Sequence, residues 1–271
     1  MCYAAGMSEE RFGGSVPATY ESSMVPLFFA PYARELAARV AAHAPRAVLE
    51  TAAGTGVVTR ELHRRLAPDV RIVATDLSAE MLVVAEERLA APRIELRATD
   101  ACALPFGDAE FDVVTSQFGV MFFPDRPCAY REARRVLRPA GRFVFSVWDS
   151  LARNLASALV SEAAAAHFPH DPPRFFERVP FAYHDGTTIR RELEAAGFHD
   201  VTIDVVELEL RADRAEDVAS ALALGTPLRG ELIARGGDLQ AFVRRATEHL
   251  ALRFGPGPID DRMSALVISA M

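Results

Sequence analysis

Hydrophobic and polar positions along this chain alternate between two periods. Apolar runs at residues 47–50, 71–75, 94–99, 111–116 and 142–148 have the length and bounding residues of buried strands. Between them, apolar residues recur at helical spacing. Leu36, Ala37 and Val40 mark a helix over residues 31–42, entered by a loop that starts near residue 15, and a second helix over 56–66 stops before Pro68. Ser78 stands where it caps a helix carrying the stripe Met81, Leu82, Ala85 and Leu89. Asp125 caps another, with proline in its first turn, Tyr130, Ala133, Val136 and Leu137 facing inward, and Gly141 as its stop. Strands alternating with helices at such short intervals predict a parallel sheet covered on both faces. Its ligand then lies beyond the carboxyl ends of the strands, which carry Glu50, Asp76, Asp100, Gln117 and Asp149.

After residue 148 the pattern loosens. A helix over 152–166 leads into the aromatic, proline-rich FPHDPPRFFERVPFAYHD, a helix over 188–196 closes with Gly197, and a strand over 201–210 alternates acids with apolar residues. Residues 214–253 read as two or three helices broken by Gly225, Pro227 and the Gly236–Gly237 pair, and a last strand covers 263–270. Two further strands therefore join the sheet. Residues 150–185 and 214–258 are left to form a helical cap, so the expected organisation is a lid and helix at 1–46, a ligand-binding core at 47–149, and sheet strands with cap insertions at 150–271, all in one domain.

Composition narrows the function. With 271 residues, 50% of them hydrophobic, the chain can bury a substantial core. A net charge of -7 without a basic run argues against nucleic acid. Every basic residue is arginine, which excludes a Schiff-base lysine and the lysine of a phosphate-binding P-loop. Cys2, Cys102 and Cys128 are widely spaced and fit a reduced cytoplasm. Glu9 and Glu10 and the lack of an apolar stretch of sufficient length lead us to expect no exported leader and no membrane span, and Met7 offers an alternative start.

The most informative stretch is VLETAAGTGVVT at 48–59. An apolar run ending in an acid, then small residues around Gly54 and Gly56, then a helix, is a strand turning into a helix through a loop that lets a ligand approach the backbone. Such glycines also serve merely to pack a helix on its strand. Asp76 follows about twenty residues beyond Gly56, the interval at which a carboxylate at the tip of the second strand reaches a ribose, although a capping role suits it too.

VLETAAGTG, VATDLSAEML, ATDACALPF, FDVVTSQFGVMFFPD and EARRVLRPAGRFVFSVWD occur in the order found in the class I S-adenosylmethionine-dependent methyltransferases, which this chain resembles. Within them it is similar to the ubiquinone- and menaquinone-biosynthesis-like small-molecule group. The resemblance covers residues 47–149 and implies a Rossmann-like, doubly wound sheet of seven strands, mostly parallel with the last antiparallel. It implies that Glu50 and the loop Ala52, Ala53, Gly54, Thr55 and Gly56 hold the methionine portion of S-adenosylmethionine, and that Asp76 takes both ribose hydroxyls. Leu77 and Met81 would pack on the adenine, Asp100 would accept from its exocyclic amine beside the Ala101 backbone, and Gln117 and Phe118 would reach the reacting methyl. S-adenosylhomocysteine would be the product. Ala52 departs from the family pattern, which has glycine there, so the turn must keep a negative φ or adopt a costlier geometry.

Methyl transfer needs an acceptor lone pair held in line behind the sulfonium methyl, with water excluded and no obligatory base. Tyr20 and Phe118 are candidates for aromatic contact with the sulfonium; Tyr20, Phe28, Phe29 and Tyr32 read first as core residues of a helix covering the sheet, with a lid over the pocket as the functional alternative. His184, beside Asp185, is the candidate catalytic base for a hydroxyl acceptor, against a plain surface position. His167 and His170 lack a third ligand of matching spacing, so no metal is assigned. The expected partner is a small hydrophobic or aromatic acceptor, and the protein is expected to be a monomer or homodimer. Two alternatives stay open: an NAD(P)-dependent oxidoreductase, and a non-catalytic S-adenosylmethionine-binding protein.

Overall fold

The computed structural model describes residues 16–89, 93–255 and 257–271. Seven strands form one sheet: β1 (Ala47–Thr51), β2 (Arg71–Asp76), β3 (Ile94–Ala98), β4 (Phe111–Gln117), β5 (Leu137–Trp148), β6 (Thr202–Ala212) and β7 (Ile259–Ala270). Their order is β3-β2-β1-β4-β5-β7-β6. β7 runs antiparallel to both its neighbours and the remaining pairings are parallel. This is the expected doubly wound sheet, with the five early strands where periodicity put them and the two late ones added at one edge. β1 is buried along its whole length, as a central strand covered on both faces must be.

The first correction concerns the amino-terminal arm. Residues 16–29 were expected to form a loop, but α1 (Val16–Thr19) runs into a wide-turned π-helical segment (Tyr20–Phe29) and then into α2 (Ala30–Ala42) without a break. The amide of Ala30 bonds the carbonyl of Val25, five residues back. Pro26 inside this segment would crowd a preceding carbonyl in a tighter turn; the wider winding gives it room. Tyr32, fully buried on α2, anchors the arm by donating its hydroxyl to the carbonyls of Val206 (3.1 Å) and Met263 (2.9 Å) on β6 and β7.

Helices α3 (Val57–Arg65), α4 (Ala79–Leu89) and α5 (Arg126–Val136) follow β1, β2 and β4. A second correction lies after α5: Gly141 does not stop this helix, which ends at Val136, but stands inside β5. There the pairing with β4 shifts register between Phe111 and Val113, and a Cβ on Gly141 would sit 2.9 Å from the Arg138 carbonyl and 3.1 Å from that of Asp112. The later helices are α6 (Leu155–His167), α7 (Phe175–Arg178), α8 (Gly186–Ala195), α9 (Ala215–Leu224), α10 (Leu228–Ala234) and α11 (Leu239–Phe254). α11 packs on α6 and α9, making a helical layer beside the carboxyl end of the sheet. No helix among the described residues is long and apolar enough to cross a membrane.

The loop from β1 to α3 takes the costlier of its two geometries. Ala52 has φ +53°, in the left-handed region, followed by Gly54 at +57° and Gly56 at +79°. The Ala52 side chain is accommodated because the chain leaving β4 is bare opposite it: a Cβ on Gly119 would lie only 2.4 Å from the Cβ of Ala52. Beneath the loop, Glu50 is 1% exposed and accepts a 2.6 Å hydrogen bond from the Thr59 hydroxyl. Burial, assisted by the nearby charge of Asp76, pushes its carboxyl from 4.5 up to about 8.

Two predictions follow from this loop. Gly119→Ala destabilises by about 1–3 kcal/mol through overpacking against the Ala52 Cβ and the Ser116 hydroxyl, 2.4 and 2.7 Å from the added methyl; Ala52→Gly is neutral or slightly stabilising by itself and restores the Ala52 share of that loss in the double variant, the Ser116 contact remaining, so thermal melts of the four proteins should be non-additive. Glu50 favours folding below its unfolded pKa of 4.5, and that contribution is lost as pH rises through about 8. The melting temperature of the wild type should therefore fall relative to Glu50→Gln between pH 5 and 9, by on the order of 5 °C.

Candidate active site

A cavity of about 280 Å³ opens beyond the carboxyl ends of β1, β2, β4 and β5, where the strand order reverses between β1 and β4. Its first end is polar. Ala52 and Gly54 line it from the β1 loop, and a Cβ on Gly54 would meet nothing within 4 Å, so the backbone there is open to a ligand. Gly56 serves a different purpose: a Cβ on it would approach Leu89 to 3.1 Å and Ala85 to 3.3 Å, so its bareness lets α3 pack against α4.

Asp76, at the tip of β2, accepts from the amide of Gly54 through Oδ2 and from that of Ser78 through Oδ1, each at 2.8 Å. Two carboxylate oxygens offer about four lone-pair sites, so capacity remains on the cavity side. Burial raises its pKa, and the backbone amides of Ser78, Gly54 and Leu77 oppose the rise. Leu77 and Met81 stand beside it at the entry to α4. Across from them the Thr99–Ala101 turn brings Asp100 and Ala101 to the same wall; Asp100 is exposed and its Oδ1 accepts from the Cys102 amide at 2.8 Å.

The middle of the cavity is aromatic. Tyr20 stacks on Phe29 with centroids 5.0 Å apart, and Phe118 stacks on Trp148 at 3.9 Å and 8°. Tyr32 meets both Phe118 and Trp148 edge-on from behind. Phe118 has φ +52°, a conformation unusual for a bulky residue, and it turns the chain out of β4 so that the ring faces Trp148. Gln117 donates from Nε2 to the Phe29 carbonyl at 3.2 Å, while its buried Oε1 has no partner. Burial next to Asp76, Glu21 and Glu50 holds the Tyr20 phenol well above its ordinary pKa, hence protonated. Glu21 ties this arm to the loop, accepting from the Thr55 hydroxyl at 2.5 Å and from Arg60 at 2.9 Å.

Of the residues expected at a ligand site, Tyr20, Ala52, Gly54, Asp76, Leu77, Met81, Asp100, Ala101, Gln117 and Phe118 line this one cavity. Glu50, Ala53, Thr55 and Gly56 do not line it: Glu50 is buried near the end of β1, and the other three are buried members of the loop itself. His184 does not line the cavity. The turn that carries it buries the preceding Tyr183, whose hydroxyl meets Tyr130 at 3.0 Å and Glu192 at 2.7 Å, and leaves His184 exposed with its Nδ1 2.7 Å from the Phe181 carbonyl. The arm aromatics divide as well: Tyr20, Phe28 and Phe29 face the cavity, whereas Tyr32 belongs to the core.

The segments expected as a cap, 150–185 and 214–258, line much of the rest of the cavity with residues that no motif singled out. Phe122, Phe175, Phe176 and Phe181 form an apolar wall there, with Thr226 from the turn between α9 and α10 and Asp261 from β7 as its polar points. The FPHDPPRFFERVPF stretch signalled the wall. Asp261 gave no local signal, because its strand begins at Ile259 rather than at residue 263.

Known proteins agree with this geometry. A family described as a methyltransferase domain matches residues 49–145. The demethylmenaquinone methyltransferase of Deinococcus radiodurans is 39% identical over 143 residues, 52% of this chain and 57% of that protein, so the match spans little more than half of that relative's length. The ubiquinone/menaquinone biosynthesis C-methyltransferase UbiE of Hahella chejuensis is 30% identical over 185 residues, 59% of this chain and 72% of that protein. The solved structure of the YcgJ protein from Bacillus subtilis has the same fold, with a TM-score of 0.55 at 18% identity over 89% of this chain and 97% of that one. These relationships set the dinucleotide oxidoreductase alternative aside: the chain belongs to the class I S-adenosylmethionine-dependent methyltransferases, in the ubiquinone- and menaquinone-biosynthesis-like group.

Proposed function

We propose that this protein methylates a small hydrophobic or aromatic metabolite, using S-adenosylmethionine and releasing S-adenosylhomocysteine. The observation that carries the reading is the joining, in one cavity, of a polar end built on Gly54, Asp76 and Asp100 to an aromatic chamber built on Phe29, Phe118 and Trp148. The chain's own groups suit the cofactor: bare backbone at Gly54, free lone pairs on Asp76, and an unpartnered acceptor on Gln117.

In this reading Asp76 takes the ribose hydroxyls, Leu77 and Met81 flank the adenine, and Asp100 with the Ala101 backbone meets its edge. The 52–56 loop holds the methionine portion, with Glu50 bracing it from beneath through Thr59. The bound cofactor supplies an electrophilic methyl group on a sulfonium. Around that position the rings of Tyr20 and Phe118 attract the cation, by about 0.5–2 kcal/mol each depending on solvation. The Phe118–Trp148 stack excludes water and walls the approach of the acceptor, and such positioning supplies on the order of 7–11 kcal/mol in favourable cases. No base is required for in-line displacement onto a nucleophile that is already electron-rich. Because the Deinococcus relative is named for demethylmenaquinone, we take a naphthoquinone-type ring as the first acceptor to try. Cys102 and Cys128 are free thiols, and we place the reaction in the cytoplasm.

Calorimetry should give micromolar binding of S-adenosylmethionine and S-adenosylhomocysteine and none of NAD. Asp76→Ala should weaken the first two at least tenfold, since each charge-assisted hydrogen bond is worth about 1.5–3 kcal/mol. With labelled cofactor, the same preparation should form methylated product from an aromatic acceptor such as 1,4-naphthoquinol. Saturable NAD binding with no response to the sulfonium pair would overturn the proposal.

A further inference from the structure

The acceptor end of the cavity contains one feature that the reading above does not use. Asp261 lines it, and its Oδ2 is buried without any hydrogen-bond partner. Asp261 as a whole is half-buried, but this one oxygen is enclosed and has lost its water without gaining a donor, which is unfavourable unless a ligand completes it. The neighbouring polar groups do not. The Thr226 hydroxyl is committed to the Leu222 carbonyl at 2.7 Å and the Leu228 amide at 3.2 Å. Asn154 is engaged with Ser264 at both ends of its amide, through Nδ2 at 3.0 Å and Oδ1 at 3.1 Å. The guanidinium of Arg262 lies 3.6 Å from Glu207.

Strand register locates this carboxylate relative to the reacting centre. Trp148 pairs with Ala265, and side chains on one face of a strand recur every second residue, so Asp261, Met263 and Ala265 share the sheet face of Trp148. Asp261 stands four residues outward along β7, roughly 14 Å of strand. Between the two on this face of β7 lies Met263, which also lines the cavity.

We propose that Asp261 is a specificity-determining residue that accepts a hydrogen bond from an O–H or N–H group on the methyl acceptor, at the end of that molecule remote from the methylated atom. The inference rests on the methyltransferase reading and deepens it. The acceptor is elongated, apolar or aromatic in its middle, and terminates in a hydroxyl or ammonium group rather than in a purely hydrocarbon tail. Asp261 positions the acceptor and moves no proton in the transfer itself.

The test uses four probes of one shape: 4-phenylbutan-1-ol, 4-phenylbutylamine, butylbenzene, and the methyl ether of the alcohol, which cannot donate. Trp148 is the chain's single tryptophan and faces the cavity, so its fluorescence reports occupancy without turnover. Titrations are run with and without saturating S-adenosylhomocysteine. The alcohol and the amine should bind at least tenfold more tightly than the hydrocarbon and the ether, and Asp261→Leu should abolish that preference while leaving S-adenosylhomocysteine affinity unchanged. Because the orphaned oxygen is a burden in the free protein, Asp261→Leu should also melt at the same temperature as wild type or higher; a marked drop would indicate a structural role and overturn the proposal. No donor preference in the wild type, its persistence in Asp261→Leu, or no binding of the alcohol up to its solubility would do the same. A donor preference in a protein that fails to bind S-adenosylhomocysteine would overturn the methyltransferase reading alone.

Discussion

Everything at the site depends on how closely the carboxyl ends of β1 and β4 approach each other. This is where the strand order reverses, and a crevice must open there for a ligand. The two chain segments leaving the strands nonetheless cross with only a missing Cβ between them, Gly119 against Ala52. At the crossing Ala52 adopts the left-handed region, and the turn that follows exposes the Gly54 backbone. On the other side, Phe118 is turned out of β4 onto Trp148. One tight contact thus sets both the polar end of the cavity and the first ring of its aromatic chamber.

The arm from Val16 to Phe29 completes what the crossing begins. Its wide helical winding brings Tyr20, Phe28 and Phe29 to the open side of the chamber, and its carbonyl at Phe29 receives the amide of Gln117. Glu21 fastens it to Thr55 and Arg60 on the opposite side of the loop. The polar and aromatic halves of the cavity are therefore closed by one segment. Tyr32 transmits its position to the β6–β7 edge, the same edge that carries Asp261.

Features governed by short-range order were legible from the residues. Five strands and the stripes Met81–Leu82–Ala85–Leu89 and Tyr130–Ala133–Val136 follow from local pattern alone, because a helix on the sheet buries one face and a central strand such as β1 buries both. Spacing put Asp76 about twenty residues beyond Gly56 at the tip of the second strand, but not its 2.8 Å bond from the Gly54 amide, which only the folded loop shows. Residues 16–29 were misread because Pro26 is a signal for a loop, and only packing on the sheet stabilises a helix wound widely enough to hold it; Pro31, in the first turn of α2, marks a helix start as expected. Gly141 was misread for a related reason: glycine marks a helix end and a crowded bulge equally well, and only the position of Asp112 across the strand distinguishes them.

The sequence by itself determined the sheet, its ligand-binding edge and the acids and glycines that furnish it, since these depend on residues near one another along the chain. Tertiary structure alone decided which way Ala52 turned, that His184 faces solvent while Tyr183 is buried, and that Asp261 reaches the cavity. Those outcomes depend on contacts between residues far apart in sequence. No local pattern encodes the crowding of β4 on the β1 loop, the pull of Glu192 and Tyr130 on one side of a turn, or the register of an antiparallel strand that enters the sheet last in the chain but next to β5 in space.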